Sequence, residues 1–247
     1  MTQKAVKSRL DTLMVERGLA SSRERARALI MAGRVAVDGV TFEKPGKEIP
    51  RDATLFLKQD LPYVSRGGLK LEAALDHFGV DPAELRIMDA GASTGGFTDC
   101  LLQRGAARII AIDVGYGQLH WKLRNDPRVT VMERTNIRFL EMDALPHPVD
   151  AAVADLSFIS LKLVLPKFKE ILPVGGWLVP LVKPQFEAGR ADVGKGGVVR
   201  DLAKVRAAVD SVKAFAEACG FKILAEMESP IRGPKGNREF FLHLKCA

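Results

Sequence analysis

From position 86 to the end of the chain, short apolar runs alternate with helix-length amphipathic segments, and this alternation constrains the fold more than any other feature. The runs occupy 87–90, 109–114, 129–132, 151–154, 177–182, 222–227 and 240–244. Several are apolar at consecutive positions, as strands are when helices cover both faces of a mostly parallel sheet. Helical patterns fall between them, at 96–104, 161–171 and 201–219. Seven strands with helical crossovers predict a doubly wound α/β fold with its ligand crevice at the strand ends.

The first sixty residues follow a different pattern. Leu10, Leu13, Met14 and Leu19 have helical spacing, predicting a helix over 9–17 with Gly18 at its C-terminal end. Ser21 and Glu24 form an S-x-x-E capping box for a second helix. Gly33 ends that helix, and Val35, Val37 and Val40 flank an Asp38-Gly39 hairpin turn. Leu55-Phe56-Leu57 closes the unit. The division expected is a small domain over 1–59, a linker over 60–64 and a large domain over 65–247.

Charge separates the two parts. The chain carries a formal net charge of +7, and residues 1–60 hold 12 Lys and Arg against 8 Asp and Glu, more than half of the excess. An anionic partner follows from that bias. The stretch "RLDTLMVERGLASSRERARALIMAGRVAVDGV" resembles the small RNA-binding domain named for the ribosomal protein S-four, also called the alpha-L motif. The resemblance implies that Arg23, Arg25, Arg27 and Arg34 face RNA phosphates. Arg66, ahead of the first large-domain strand, and Arg190 and Lys195, in the glycine-rich stretch "QFEAGRADVGKGGVVRD", are expected to add to the RNA-binding surface.

Other classes of protein are disfavoured. No apolar run approaches the roughly 20 residues that cross a bilayer, and "MTQKAVKSR" has no apolar signal core. Cys100, Cys219 and Cys246 are too widely spaced for a zinc cluster or a disulfide framework, so no metal is expected and the cytosol is the expected compartment.

In "IMDAGASTGGFTDCLL" a glycine-rich turn joins the first large-domain strand to a helix. Glycines let backbone amides approach a ligand there, with the helix N-terminus behind them. The spacing is D-x-G-x-x-x-G-G rather than the dinucleotide fingerprint G-x-G-x-x-G. It resembles motif I of S-adenosylmethionine-dependent methyltransferases, and the cofactor residues expected are Asp89, Gly91, Ser93, Gly95, Gly96 and Phe97. Asp113, at the end of the next strand, suits a ribose diol. Asn136 is expected near the adenine.

Four charged residues mark the reaction site: Lys70, Asp155, Lys183 and Glu239. Lys183 ends the apolar run "WLVPLV", where an ammonium is costly unless a partner meets it. The ordered set Lys–Asp–Lys–Glu resembles the tetrad of FtsJ-like RNA ribose 2′-O-methyltransferases. "YVSRGGLKLEAAL", "DVGYGQLHWKLRNDPRV", "DLSFISL", "PLVKPQFEAG" and "KGGVVRD" look like the TlyA-type proteins, which pair that enzyme domain with the same small RNA-binding domain and often carry a hemolysin label. The resemblance implies 2′-O-methylation of ribosomal RNA, with ribosomal subunits as partners.

Two readings of the lysine stay open: Lys183 deprotonates the 2′-hydroxyl, or it stays charged and polarises that hydroxyl while Asp155 orients it. Lys70 and Glu239 would position the ribose and Lys183. Methylation of a base nitrogen is the runner-up, weakened because Asp155-Leu156-Ser157-Phe158 lacks the prolines of an [N/D]-P-P-[Y/F/W] segment. A non-catalytic RNA-binding protein is the other alternative.

Overall fold

A computed structural model of the chain describes residues 6–57, 62–189, 192–233 and 235–247. The chain divides into two compact units, Met1–Asp60 and Leu61–Ala247.

In the smaller unit, α1 (Leu10–Glu16) and α2 (Arg23–Met31) pack against three antiparallel strands, β2 (Val35–Val37), β3 (Val40–Phe42) and β5 (Leu55–Leu57), in the order β3-β2-β5. Leu10, Leu13, Met14, Ala26, Ile30, Val35 and Val37 form the core. Asp38 and Gly39 both take positive φ, as a two-residue hairpin demands. Two elements have no counterpart in the sequence pattern: β1 (Lys7–Arg9) and β4 (Glu48–Pro50), which pair antiparallel. Three residues each, they are too short to show a period. The helix cap also differs from expectation: Ser22, not Ser21, accepts the Arg25 N–H at 3.2 Å. Two adjacent serines satisfy the same local rule, and only the helix start distinguishes them.

The larger unit is built on one seven-stranded sheet: β6 (Arg86–Ala90), β7 (Arg108–Ile112), β8 (Val129–Met132), β9 (Ala151–Ala154), β10 (Trp177–Val182), β11 (Phe221–Glu228) and β12 (Phe240–Cys246), in the order β11-β12-β10-β9-β6-β7-β8. Strands β6 to β10 are parallel, and β12 runs antiparallel between β10 and β11. Alternate strand residues feed two separate cores. Ile87, Ile109, Val153 and Val179 face α3 (Arg66–Phe78) and α4 (Gly96–Gln103), and with them Leu123 of α5 (Trp121–Arg124). Met88, Ile110, Ala152 and Leu178 face α6 (Leu165–Ile171) and α8 (Leu202–Ala218). Fully buried side chains such as Phe168 and Ile110 each contribute about 1.5–3 kcal/mol. This is the doubly wound, Rossmann-like α/β fold expected, with a mostly parallel seven-stranded sheet.

The helix expected over 161–171 is broken. A 3-10 turn, Leu161–Leu163, precedes α6, which carries Pro166 in its first turn. Proline has no N–H to continue a helix but fits at its start. Of the stretch read as a linker, positions 60 and 61 lie outside the described residues. Tyr63 is buried and donates to Glu72, while the Val64 N–H bonds Asp99, so both belong to the larger unit. No helix among the described residues is long and apolar enough to cross a membrane.

Candidate active site

A parallel strand delivers its last residues to one edge of the sheet, and β6, β7, β9 and β10 share that edge. The glycine-rich loop leaves β6 there. Gly91 has φ +82°, and a Cβ on it would lie 2.6 Å from the Asp155 carbonyl oxygen. The loops after β6 and β9 therefore touch backbone to backbone, and Asp155 N–H also bonds Ala90 O at 2.9 Å.

Asp113, just past β7, accepts the Ser93 N–H at 2.8 Å and the Gly115 N–H at 2.7 Å, which fixes the loop around it. Each carboxylate oxygen keeps a further lone pair for a ligand hydroxyl. Asn136 caps the 3-10 turn Ile137–Phe139 by accepting the Arg138 N–H. Gly91, Ser93, Asp113 and Asn136 line one cavity of about 760 Å³, with Ile112, Ile137 and Leu156 as apolar walls. That size and mixed lining fit a nucleoside-type ligand.

Asp89 lies elsewhere than expected. It is fully buried beneath the loop; Oδ2 accepts the Thr98 hydroxyl at 2.6 Å, and Oδ1 has no hydrogen-bond partner among the described residues. Burial, reinforced by Asp155 and Asp113, pushes its carboxyl up to about 7, against the Thr98 bond. It braces the loop from beneath. Phe97 is likewise mostly core, packed near Phe241, with an edge on the cleft near Gly96. Gly95 starts α4 in a left-handed conformation.

Lys70, Asp155, Lys183 and Glu239 all line a second cavity, of about 480 Å³, which shares Gly91, Ser93 and Asp155 with the first. The four form two pairs. Lys70, on α3, donates to Glu239 at 2.6 Å, and both are buried. Lys183 lies 2.7 Å from Asp155 Oδ1 and donates to the Ser157 hydroxyl at 2.9 Å. The Lys183–Asp155 approach is a charge contact without hydrogen-bond alignment. Glu239 therefore partners Lys70 and not Lys183, contrary to the arrangement expected from sequence. A Cβ at Gly233 would overlap the Glu239 carboxylate, so the loop before β12 closes over this pair.

Several residues at the cleft were missed by the sequence reading. Ser157 completes the surroundings of Lys183, and its signal was available: a hydroxyl three positions past a strand end. Phe158 is 91% exposed on the cavity rim and lies 5.2 Å from Phe186, ring centre to ring centre. Asn237 ties two loops by accepting the Val199 N–H and donating to Gly197 O.

The basic residues divide. Arg25 and Arg27 are exposed on α2, whereas Arg23 is drawn 3.3 Å from buried Asp11, which also pairs with Arg9. Those two guanidiniums hold the Asp11 carboxyl well below the usual carboxylate range. Arg34 is half-buried. Arg66 lines a third recess, about 220 Å³, with Lys70, Gly91, Asp155 and Arg232. Lys195 is exposed in a turn, and Lys235 rather than Lys195 reaches the reaction cavity. Arg190 lies outside the described residues.

Residues 63–246 match the family described as FtsJ-like methyltransferase, and residues 8–55 match the S4 domain. The chain is 49% identical over 243 residues to the 16S/23S rRNA (cytidine-2′-O)-methyltransferase TlyA of Mycobacterium tuberculosis, covering 98% of this chain and 91% of that one. It is 41% identical over 237 residues to Hemolysin A of Brachyspira hyodysenteriae, covering 95% and 98%. Among solved structures, a hemolysin-type protein from Streptococcus thermophilus matches with a TM-score of 0.76 and 46% identity, over 99% of this chain and 90% of that one. The chain belongs to the FtsJ-like methyltransferase family, with an S4 domain at its N-terminal side.

Proposed function

We propose that this protein methylates ribose 2′-hydroxyls of ribosomal RNA, using S-adenosylmethionine. The observation that carries the reading is the convergence of Lys70, Asp155, Lys183 and Glu239 on one cavity that opens from the glycine-rich loop. The name of the Mycobacterium tuberculosis relative supports the reaction and the substrate.

In this reading Gly91, Ser93, Asp113 and Asn136 hold the cofactor, which supplies an electrophilic methyl group on a sulfonium. The acceptor oxygen must be aligned with that methyl and must lose its proton. Lys183 sits beside the Asp155 carboxylate and donates to Ser157, an arrangement suited to an ammonium. That supports the version in which Lys183 keeps its charge and polarises the 2′-hydroxyl. Asp155, whose side chain lines the cavity and keeps 24% exposure, accepts the hydroxyl proton. Lys70 and Glu239, locked on each other, form the opposite wall and set the ribose orientation.

RNA is held by surfaces suited to phosphates and bases. Arg25 and Arg27 project from the S4 unit, and Arg66 and Arg232 flank the cleft. Exposed Phe158 offers a face for an unstacked base, and Arg134 over exposed Tyr116 and Arg138 over exposed Phe139 add further stacking pairs. Incubating the protein with ribosomal subunits and labelled S-adenosylmethionine, then digesting the RNA to nucleosides, tests the proposal. A methyl on ribose is the expected result. A methyl on a base, or no transfer to either subunit, would reject it.

A further inference from the structure

The segment after β9 carries a conformational cost that the core does not explain. Phe158 has φ +64°, in the left-handed region that a bulky L-residue rarely adopts. Such strain persists only where the surroundings over-determine the backbone. The Phe158 side chain is 91% exposed, so the strained backbone gains no apolar burial in return. The conformation serves instead to present residues 157 and 158 at the cavity rim.

Two side chains that follow β10 in the chain hold this segment by hydrogen bonds. At one end the Lys183 ammonium donates to Ser157 Oγ at 2.9 Å. At the other, the Glu187 carboxylate accepts the Ser160 hydroxyl at 2.5 Å and the Leu161 N–H at 2.7 Å. Glu187 ends α7 (Pro184–Glu187), the turn that begins directly after Lys183. Positions 157 to 161 are thus clamped at both ends by residues only four apart in sequence. Glu187 is half-buried, and burial pushes its carboxyl up against the two hydrogen bonds and nearby Lys162. A carboxylate placed there at that cost has a definite task.

We propose that Glu187 is a positioning residue: it straps the 157–161 segment to the Lys183 loop, fixing the Ser157 hydroxyl against Lys183 and the exposed Phe158 toward the acceptor nucleotide. The proposal rests on the reading of this cavity as the methyl-transfer site. Glutamine at 187 can keep both bonds, its carbonyl accepting from Leu161 and its amide donating to Ser160 Oγ, whereas alanine keeps neither.

The test compares wild type, Glu187→Gln and Glu187→Ala, each as the full chain. Hydrogen exchange of peptides spanning 156–163 is followed by mass spectrometry, alongside single-turnover methyl transfer to ribosomal subunits and cofactor affinity. Expected for Glu187→Ala is faster exchange in that segment and transfer slowed at least tenfold, with cofactor affinity within twofold of wild type. Glu187→Gln is expected to restore both exchange and rate to within about threefold of wild type. Unchanged exchange in Glu187→Ala, or a Gln variant as impaired as the Ala variant, would overturn the strap. Exchange is read without turnover, so a wild-type protein that fails to methylate rRNA counts against the methyl-transfer reading while the strap is still decided.

Discussion

The two lysine–carboxylate pairs of the cleft look equivalent in sequence and differ in structure. Lys70–Glu239 is sealed: the Glu239 side chain is 1% exposed and the loop at Gly233 packs onto it. Lys183–Asp155 is open: the Asp155 side chain is 24% exposed, and Ser157 supplies the lysine's hydrogen bond. A sealed pair costs desolvation on both ions and is held by its own attraction, so it behaves as a fixed wall. An open pair can exchange its contact for one with a substrate hydroxyl. Asp89 extends the series, since it is as buried as Glu239 yet has a hydroxyl, and no cation, as its partner.

Lys183→Ala sets the upper end of the comparison. Single-turnover transfer is expected to fall about a thousandfold, roughly 4 kcal/mol of barrier, with cofactor affinity retained. Turnover within tenfold of wild type would remove Lys183 from the chemistry. Glu239→Ala should instead appear in stability, because it strands the Lys70 ammonium in a closed site. Urea unfolding is expected to show a loss of about 3–5 kcal/mol. The double variant Lys70→Met/Glu239→Leu should recover most of that loss while staying inactive. If it is active, the wall reading is wrong.

Asp155→Ala should cost less stability than Glu239→Ala, because the Asp155 side chain keeps 24% exposure and the Lys183 ammonium left behind still donates to the Ser157 hydroxyl, while transfer falls steeply. Equal stability losses for Asp155→Ala and Glu239→Ala would erase the distinction between the pairs. The smallest effect concerns pH. The Asp89 carboxyl titrates near 7 when folded and near 4 when unfolded. The folded state therefore holds the extra proton, and stability falls as pH rises between those values and levels off above 7. Asp89→Asn should remove this slope, gaining on wild type between pH 5 and pH 8 in urea titrations. Parallel curves would show that Asp89 is ionised throughout.

Much of the fold could be read before any coordinates. Strands such as β9 and β10 are apolar at every position because both faces are covered, so the run and the strand coincide. Short pieces could not be read: β1 and β4 have three residues each, and their pairing joins segments forty residues apart. At the site, sequence order located all four charged residues but not who meets whom. That depends on sheet order, and the antiparallel entry of β12 beside β10 puts Glu239 within reach of α3. Ser157 and Glu187 act through contacts 26 or more positions away in the chain, which no local period reports.

The placement of β12 also bears on synthesis. A nascent chain that has emerged only as far as position 238 contains the glycine-rich loop, Lys183 and Asp155, but leaves β10 and β11 with unpaired edges and Lys70 without its counter-charge. Such a product is an aggregation-prone intermediate and not a weaker version of the finished protein.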